Sequence, residues 1–210
     1  HGTLANMVHE LIKWVGHQAS DVHSPLHGLV DLSQGVSLVG HSRGAKINSL
    51  LAAWNTTAIP AVVNLDPVDI SGFDATDDQV IPILANASAV FLHIGSQLGP
   101  EMFAGTACAP RAEGYAAFFK RSHSPAWMFE LLHAGHMQFL DAAPAGCISC
   151  QIMRALCVEG PLPDWLVRQV SQTAMIAWLK HVLGGVSVEP YQLDWANYLD
   201  SSGVALSRFK

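Results

Sequence analysis

Val36-Ser-Leu-Val-Gly40-His-Ser42-Arg-Gly44-Ala45 is the stretch on which the fold turns. Val36 to Val39 read as a short buried strand, and Ala45 to Trp54 read as a helix. Between them lies Gly-x-Ser-x-Gly. Strand, G-x-S-x-G and helix together form the setting of a nucleophile elbow, in which a strained turn lifts a serine above the end of its strand. Gly40 and Gly44 flank the serine because only small residues fit beside so tight a turn, and Ala45 follows. The backbone N–H of Arg43, at the start of the helix, faces the place where an oxyanion would form. Ser42 is therefore the candidate nucleophile and Arg43 the candidate main-chain oxyanion donor.

The rest of the chain is consistent with a single α/β domain spanning 1–210. Half of its 210 residues are hydrophobic and only 13% are charged, which excludes a disordered chain. The net charge is −6 with no basic cluster, which argues against a nucleic-acid partner. No apolar run reaches the length of a membrane span. Peripheral membrane contact stays open, although no basic amphipathic helix announces it. Four cysteines, Cys108, Cys147, Cys150 and Cys157, lie in the C-terminal half. The Cys147-Ile-Ser-Cys150 spacing leaves disulfide, zinc and thiol-redox roles open, although a zinc site would need further ligands. Neither the cysteine pairing nor the oligomeric state follows from the sequence.

In chain order, Leu4 to His17 has the 3- and 4-residue apolar spacing of an amphipathic helix. Ser20 to Ser33 is a polar connector. Ala58 to Leu65 reads as a second strand, stopped at Asp66-Pro67 because proline supplies no ladder N–H. Strand, helix and strand imply a right-handed βαβ unit and a parallel sheet. Ile70 to Asp78 is a loop. Ala89 to Ile94 is a third strand, and Met102 to Pro110 is irregular. Arg111 to Arg121 is a short helix and Trp127 to Leu132 a fourth strand. Residues 142–150 form a loop, Trp165 to Leu183 is the last long helix, and the tail from Gly184 has no clear period.

The triad order of an α/β-hydrolase is Ser, acid, His, each placed after a strand. Ser42, Asp66 and His136 supply that order. Asp66 is preferred over Asp69 and Glu101 because it stands directly at a strand end. His136 is preferred over His133 because Gly135 permits a tight loop that swings the ring over the elbow. His136 would act as general base and then general acid, with Asp66 fixing its tautomer. His41 is expected to pack or to line the pocket. Histidines 1, 9, 17, 23, 27, 93, 123 and 181 are assigned to surface or loops. Trp54, Phe73, Met102, Phe103, Met137 and Phe139 are candidates to line an apolar pocket.

The chain resembles the chlorophyllases, plant and algal serine hydrolases, over about residues 5 to 185. The resemblance is carried by Gly40-His-Ser-Arg-Gly44, Asn64-Leu-Asp66-Pro-Val-Asp69, Ile94-Gly-Ser-Gln-Leu-Gly-Pro100, Ala107-Cys-Ala-Pro110, Gly135-His-Met-Gln-Phe-Leu-Asp141 and Cys147-Ile-Ser-Cys150. Ala45 and Gln138 depart from the family pattern, which has glycine and commonly an acidic residue there. The resemblance implies an α/β-hydrolase fold without metal or cofactor and hydrolysis of the phytyl ester of chlorophyll to chlorophyllide and phytol. It also implies a chloroplast setting and the same three residues, Ser42, Asp66 and His136. A general carboxylesterase or lipase-like hydrolase, or a non-catalytic pigment or lipid binder, is the alternative. In this fold several strands precede the elbow, whereas here the elbow arrives at residue 42. On the order of 100 residues, including the loop with the second oxyanion donor, are expected to lie outside this chain. The chain alone is then expected to be a partial or weakly active form, with the edge of its elbow strand exposed.

Overall fold

The computed structural model describes residues 2–54, 59–70, 79–103, 105–144, 146–189 and 194–210, without the side chains of Phe103 and Met153. After helix α1 (Gly2–Ser20), strand β1 (Leu38–His41) runs up to the serine, and helix α2 (Arg43–Trp54) starts immediately after it. Ser42 alone makes the turn. Strand β1 begins two residues later than expected. Its ladder with β2 (Ala61–Leu65) starts at Leu38 opposite Val62 and ends at His41 opposite Leu65. The expected second strand began at Ala58, which lies outside the described residues, as does most of the expected loop Ile70 to Asp78.

Strand β3 (Val90–Ser96) pairs in parallel with β2. A small antiparallel hairpin follows, β4 (Met102–Phe103) with β5 (Thr106–Ala107), where an irregular segment was expected. The helix expected over Arg111 to Arg121 breaks at Gly114, whose extended backbone separates a 3-10 turn (Arg111–Glu113) from α3 (Tyr115–Arg121). Strand β6 (Ala126–Leu131) is parallel to β3. Helix α4 (Ile148–Ala155) occupies the end of the expected 142–150 loop, its first turn capped by Cys147, whose sulfur accepts the Cys150 N–H. Helix α5 (Asp164–Gly184), helix α6 (Ala196–Ser201) and strand β7 (Ala205–Phe209) complete the chain. β7 pairs antiparallel with β6, so the sheet order is β1-β2-β3-β6-β7.

The sheet is covered on both faces, which is why β2 and β3 read as nearly continuous apolar runs. Alternate side chains divide between two cores. Val63, Leu92, Ile94, Trp127 and Phe129 meet Val167, Val170, Ala174 and Trp178 of α5. On the other face Val62, Phe91 and Ala126 meet Ala5, Leu50, Leu51 and Phe118 of α1, α2 and α3. The residue just beyond each of three strands stays bonded to the next strand. Ser42 N–H donates to Leu65 O at 2.9 Å, Asp66 N–H to Ile94 O at 2.6 Å, and Gln97 N–H to Leu131 O at 3.0 Å. Among the described residues no helix is long and apolar enough to cross a membrane.

His93 is not a surface or loop residue. It lies in β3, fully buried, with its ring stacked on Phe91. Ser122 Oγ gives its proton to Phe118 O at 2.9 Å, so His93 Nε2 must donate to that oxygen, 2.8 Å away. Nδ1 then accepts from the Asn64 amide at 3.3 Å. The neutral ring is satisfied, and a second proton would face the Asn64 donor. Burial, with Lys210 nearby, pushes the His93 pKa down to about 3. In the unfolded chain the ring titrates near its ordinary ~6.5, so the unfolded state binds the extra proton first. Stability is therefore full above about pH 6.5 and is lost as the pH falls, by about 1.4 kcal/mol per pH unit for this group. His93→Gln should flatten that dependence between about pH 6 and pH 4.5 in urea unfolding, whatever it costs at neutral pH. An unchanged slope would remove His93 as its source.

Candidate active site

The ends of β1, β2 and β6 bring three side chains together. His136 Nε2 lies 2.9 Å from Ser42 Oγ, and His136 Nδ1 lies 2.8 Å from Asp66 Oδ2. Asp66 is fully buried, and His136 nearly so at 4% exposure. Ser42 sits at φ 54° and Asp66 at φ 41°, both in the left-handed region. Non-glycine residues occupy that region at a cost, and such strain clusters at sites that chemistry has shaped.

The elbow glycines differ in their reasons. A Cβ on Gly40 would stand 2.5 Å from the Gly44 carbonyl carbon and 2.6 Å from the Ala45 nitrogen. A Cβ on Gly44 would meet nothing within 4 Å among the described residues, so crowding explains only the first. Gly40→Ala should lose about 1–3 kcal/mol of stability, whereas Gly44→Ala should stay near the parent. Chemical denaturation of both variants checks this, and equal losses would refute the crowding account. Gly135 also acts through space and not through flexibility. Its φ is −105°, and an added Cβ would run into the Val158 carbonyl oxygen. The loop bearing His136 is thus held against a neighbouring segment.

Each rival residue has another partner. Asp69 accepts the Val80 N–H at 2.9 Å and the Ile81 N–H at 2.9 Å, and forms a buried ion pair with Lys46 at 3.4 Å. Glu101 is exposed in the turn after β3, bonded through its backbone to Leu98. His133 has φ 60° and is anchored through its backbone N–H to Gln97 Oε1. His41 packs as expected. Its Nε2 donates to His136 O at 2.8 Å, and its ring centroid is 4.7 Å from that of His136. Burial and the neighbouring His136 push its pKa down to about 4, so it is neutral beside the second imidazole.

Two supporting residues escaped the sequence reading. Ser96, last in β3, gives Asp66 two hydrogen bonds, N–H to Oδ1 at 2.9 Å and Oγ–H to Oδ2 at 2.5 Å. Its position at a strand end next to the acid's strand was the available signal. Gln138 fastens the loop that carries the imidazole. Its Oε1 accepts from Gly135 at 2.6 Å and Gly160 at 2.9 Å, and its amide donates to Leu162 O at 2.5 Å.

Ser42 and His136 open into a cavity of about 850 Å³. Its apolar wall comes from Val68, Met137, Leu140, Ala143 and Pro144, with the exposed Arg43 at its edge. Of the expected lining aromatics and methionines that the structure describes, only Met137 is found there. Phe139 is in the core, whereas Trp54 and Met102 are exposed elsewhere. Phe73 lies outside the described residues, as does the side chain of Phe103. The cysteines pair as Cys108–Cys157 and Cys147–Cys150, and no free cysteine is left. Cys108, Cys150 and Cys157 all border the cavity. Among the described residues no group of three His, Cys, Asp or Glu side chains is placed to hold a metal ion.

Comparison with known proteins gives the same direction. The family model described as Chlorophyllase matches residues 4–198. "Chlorophyllase-1, chloroplastic" of Citrus unshiu is 28% identical over 192 aligned positions, covering 80% of this chain and 55% of the relative. The protein of the same name from Citrus sinensis gives the same values. "Chlorophyllase-2" of Arabidopsis thaliana is 31% identical over 138 positions, covering 59% of this chain and 42% of the relative. The chain thus spans about half the length of the curated relatives it matches. With an elbow serine at the head of α2, a mostly parallel sheet between helices and a family match over most of its length, this chain belongs to the chlorophyllase family.

Proposed function

We propose that the chain carries the reacting centre of a serine carboxylic-ester hydrolase that cleaves the phytyl ester of chlorophyll to chlorophyllide and phytol. What supports this reading is the hydrogen-bonded row from Ser42 through His136 to the buried Asp66, at the floor of an apolar cavity. Ser42 Oγ attacks the ester carbonyl while His136 Nε2 takes its proton. Asp66 holds the ring with Nδ1 protonated and stabilises the imidazolium. The tetrahedral oxyanion is met by the Arg43 N–H at the head of α2, where the helix dipole also favours negative charge. The C–O bond to phytol breaks, and the imidazolium returns the proton to the leaving alcohol. Water then attacks the acyl-serine, with His136 again as base, to release the acid and restore Ser42. The route uses only side-chain and backbone groups.

Residues 1–210 are read as one domain, the part of an α/β-hydrolase fold from the elbow strand onward. Strands preceding the elbow and the second oxyanion donor belong to polypeptide beyond this chain. Three observations favour this. The match reaches only 55% of the Citrus relative's length. β1 forms the sheet edge, with Val39 45% exposed. Finally, the outer side of α1 bares Leu4, Met7, Leu11 and Trp14 at helical spacing. Loss of one oxyanion donor costs ~10²–10³ in rate, so the chain alone should be slow. The names of the Citrus relatives suggest a chloroplast setting.

The test is hydrolysis of purified chlorophyll beside a short p-nitrophenyl ester, together with fluorophosphonate labelling. Turnover of both, with the label on Ser42, is the expected result. Cleavage of the short ester alone would keep the chemistry and replace the substrate by a general ester. No turnover and no label would overturn the hydrolase reading in favour of a binder.

A further inference from the structure

Helix α4 is amphipathic in the reverse of the usual sense. Surface helices turn their apolar stripe toward the core and their polar side outward. Here Ser149, Cys150 and Arg154 border the cavity. Ile148 and Ile152, one turn apart, are 69% and 53% exposed and take no part in the cavity wall. The twelve residues from 142 to 153 contain no Asp, Glu, Lys or Arg. The outward direction of the isoleucines is fixed from within. Arg154 pairs with Glu159 and with Asp164 at the head of α5, and Cys157, just past the helix, is bonded to Cys108. The helix cannot roll its isoleucines inward without breaking these ties.

We propose that α4 rests on a lipid surface, with Ile148 and Ile152 dipping into its apolar layer so that the cavity mouth opens onto the phase that holds the substrate. Two observations favour lipid over a protein partner. Ile148 and Ile152 stand exposed in the stretch 142–153, which carries no charged side chain, whereas protein interfaces pair such groups with a polar, hydrogen-bonding rim. It also borders the mouth of a largely apolar cavity, and a ligand with a long isoprenoid chain reaches that mouth from a lipid phase. This second argument rests on the proposed substrate; the reversed amphipathicity does not. Interfacial helices bind through buried apolar area, with charge adding attraction only where basic residues are present.

The probe is flotation of the full 210-residue chain with phosphatidylcholine vesicles. Wild type should float, and added salt should not release it, because the contact is uncharged. Ile148→Ser and Ile152→Ser should each lower partitioning about tenfold, and the double variant should reduce it to background. Turnover of a long-chain ester embedded in the vesicles should fall in parallel, while a short soluble ester is cleaved at an unchanged rate. Melting curves check that the variants fold. Flotation of the double variant like wild type would overturn the proposal, as would release by salt. So would loss of flotation with Leu11→Gln/Trp14→Gln on α1 in its place. A dimer that dissociates in the double variant, without vesicle binding by wild type, would assign the surface to a second copy and equally overturn it. Should neither ester be cleaved while flotation still depends on Ile148 and Ile152, the hydrolase reading fails and the lipid surface stands.

Discussion

Ser42→Ala should reduce ester turnover to background while leaving the fold intact. In a complete serine-hydrolase site, loss of the nucleophile costs on the order of 10⁶ in kcat. If the second oxyanion donor belongs to polypeptide beyond this chain, as proposed, the starting rate is lower by ~10²–10³, leaving a measurable drop of about 10³–10⁴. The variant gives up one hydrogen bond to His136, about 1 kcal/mol, so its unfolding midpoint should barely move. Ser42→Gly makes the sharper companion. The serine backbone is held at φ 54°, a region glycine occupies without penalty. The glycine variant should therefore be as inactive as the alanine one yet more stable, by up to about 1–3 kcal/mol. A glycine variant that is inactive and also destabilised would show that the elbow is not strained.

Asp66→Asn should lower kcat by about 10³ or more, nearly as far as Ser42→Ala, with little change in stability. The hydrogen-bond arithmetic predicts why. Oδ1 accepts the Ser96 N–H, so the amide oxygen of asparagine must stay on that side. The amide nitrogen then replaces Oδ2, where it meets the Ser96 hydroxyl and His136 Nδ1. The hydroxyl can rotate to accept. The imidazole can satisfy an N–H donor only by leaving Nδ1 bare and carrying its proton on Nε2, which then points at Ser42 and cannot take a proton from it. Asparagine also tolerates φ 41° well, so the backbone has no reason to move. Full activity in this variant would mean that Asp66 does not set the tautomer.

The sequence showed the elbow and its neighbours clearly because they depend on local rules. A tight turn needs Gly40, a strand ends before Pro67, and three polar residues follow three strand ends. The features it hid depend on distant partners. β7 reads as an aperiodic tail because its alternation spans only five residues, and its pairing with β6 decides its state. α4 was hidden by the Pro/Gly-rich run before it and by an apolar side that faces outward. His93 passed for background because nothing local shows that Ser122 and Asn64 satisfy both ring nitrogens. The sequence suggests that Gly135 serves a tight loop, but its glycine is required by Val158, 23 residues further along the chain.

Ser42 and Asp66 are each the first residue past a strand, and each is still bonded to the next strand. Chain length is thus a determinant of the site alongside residue identity. Removing or adding one residue within β1 or β2 would turn the following side chain to the opposite face of the sheet, away from His136. Single-residue deletions there would be as damaging as losing the serine itself, whereas the polar connector between α1 and β1 has no such step to keep. A chain of this family can drift in sequence along these strands, but not in their count.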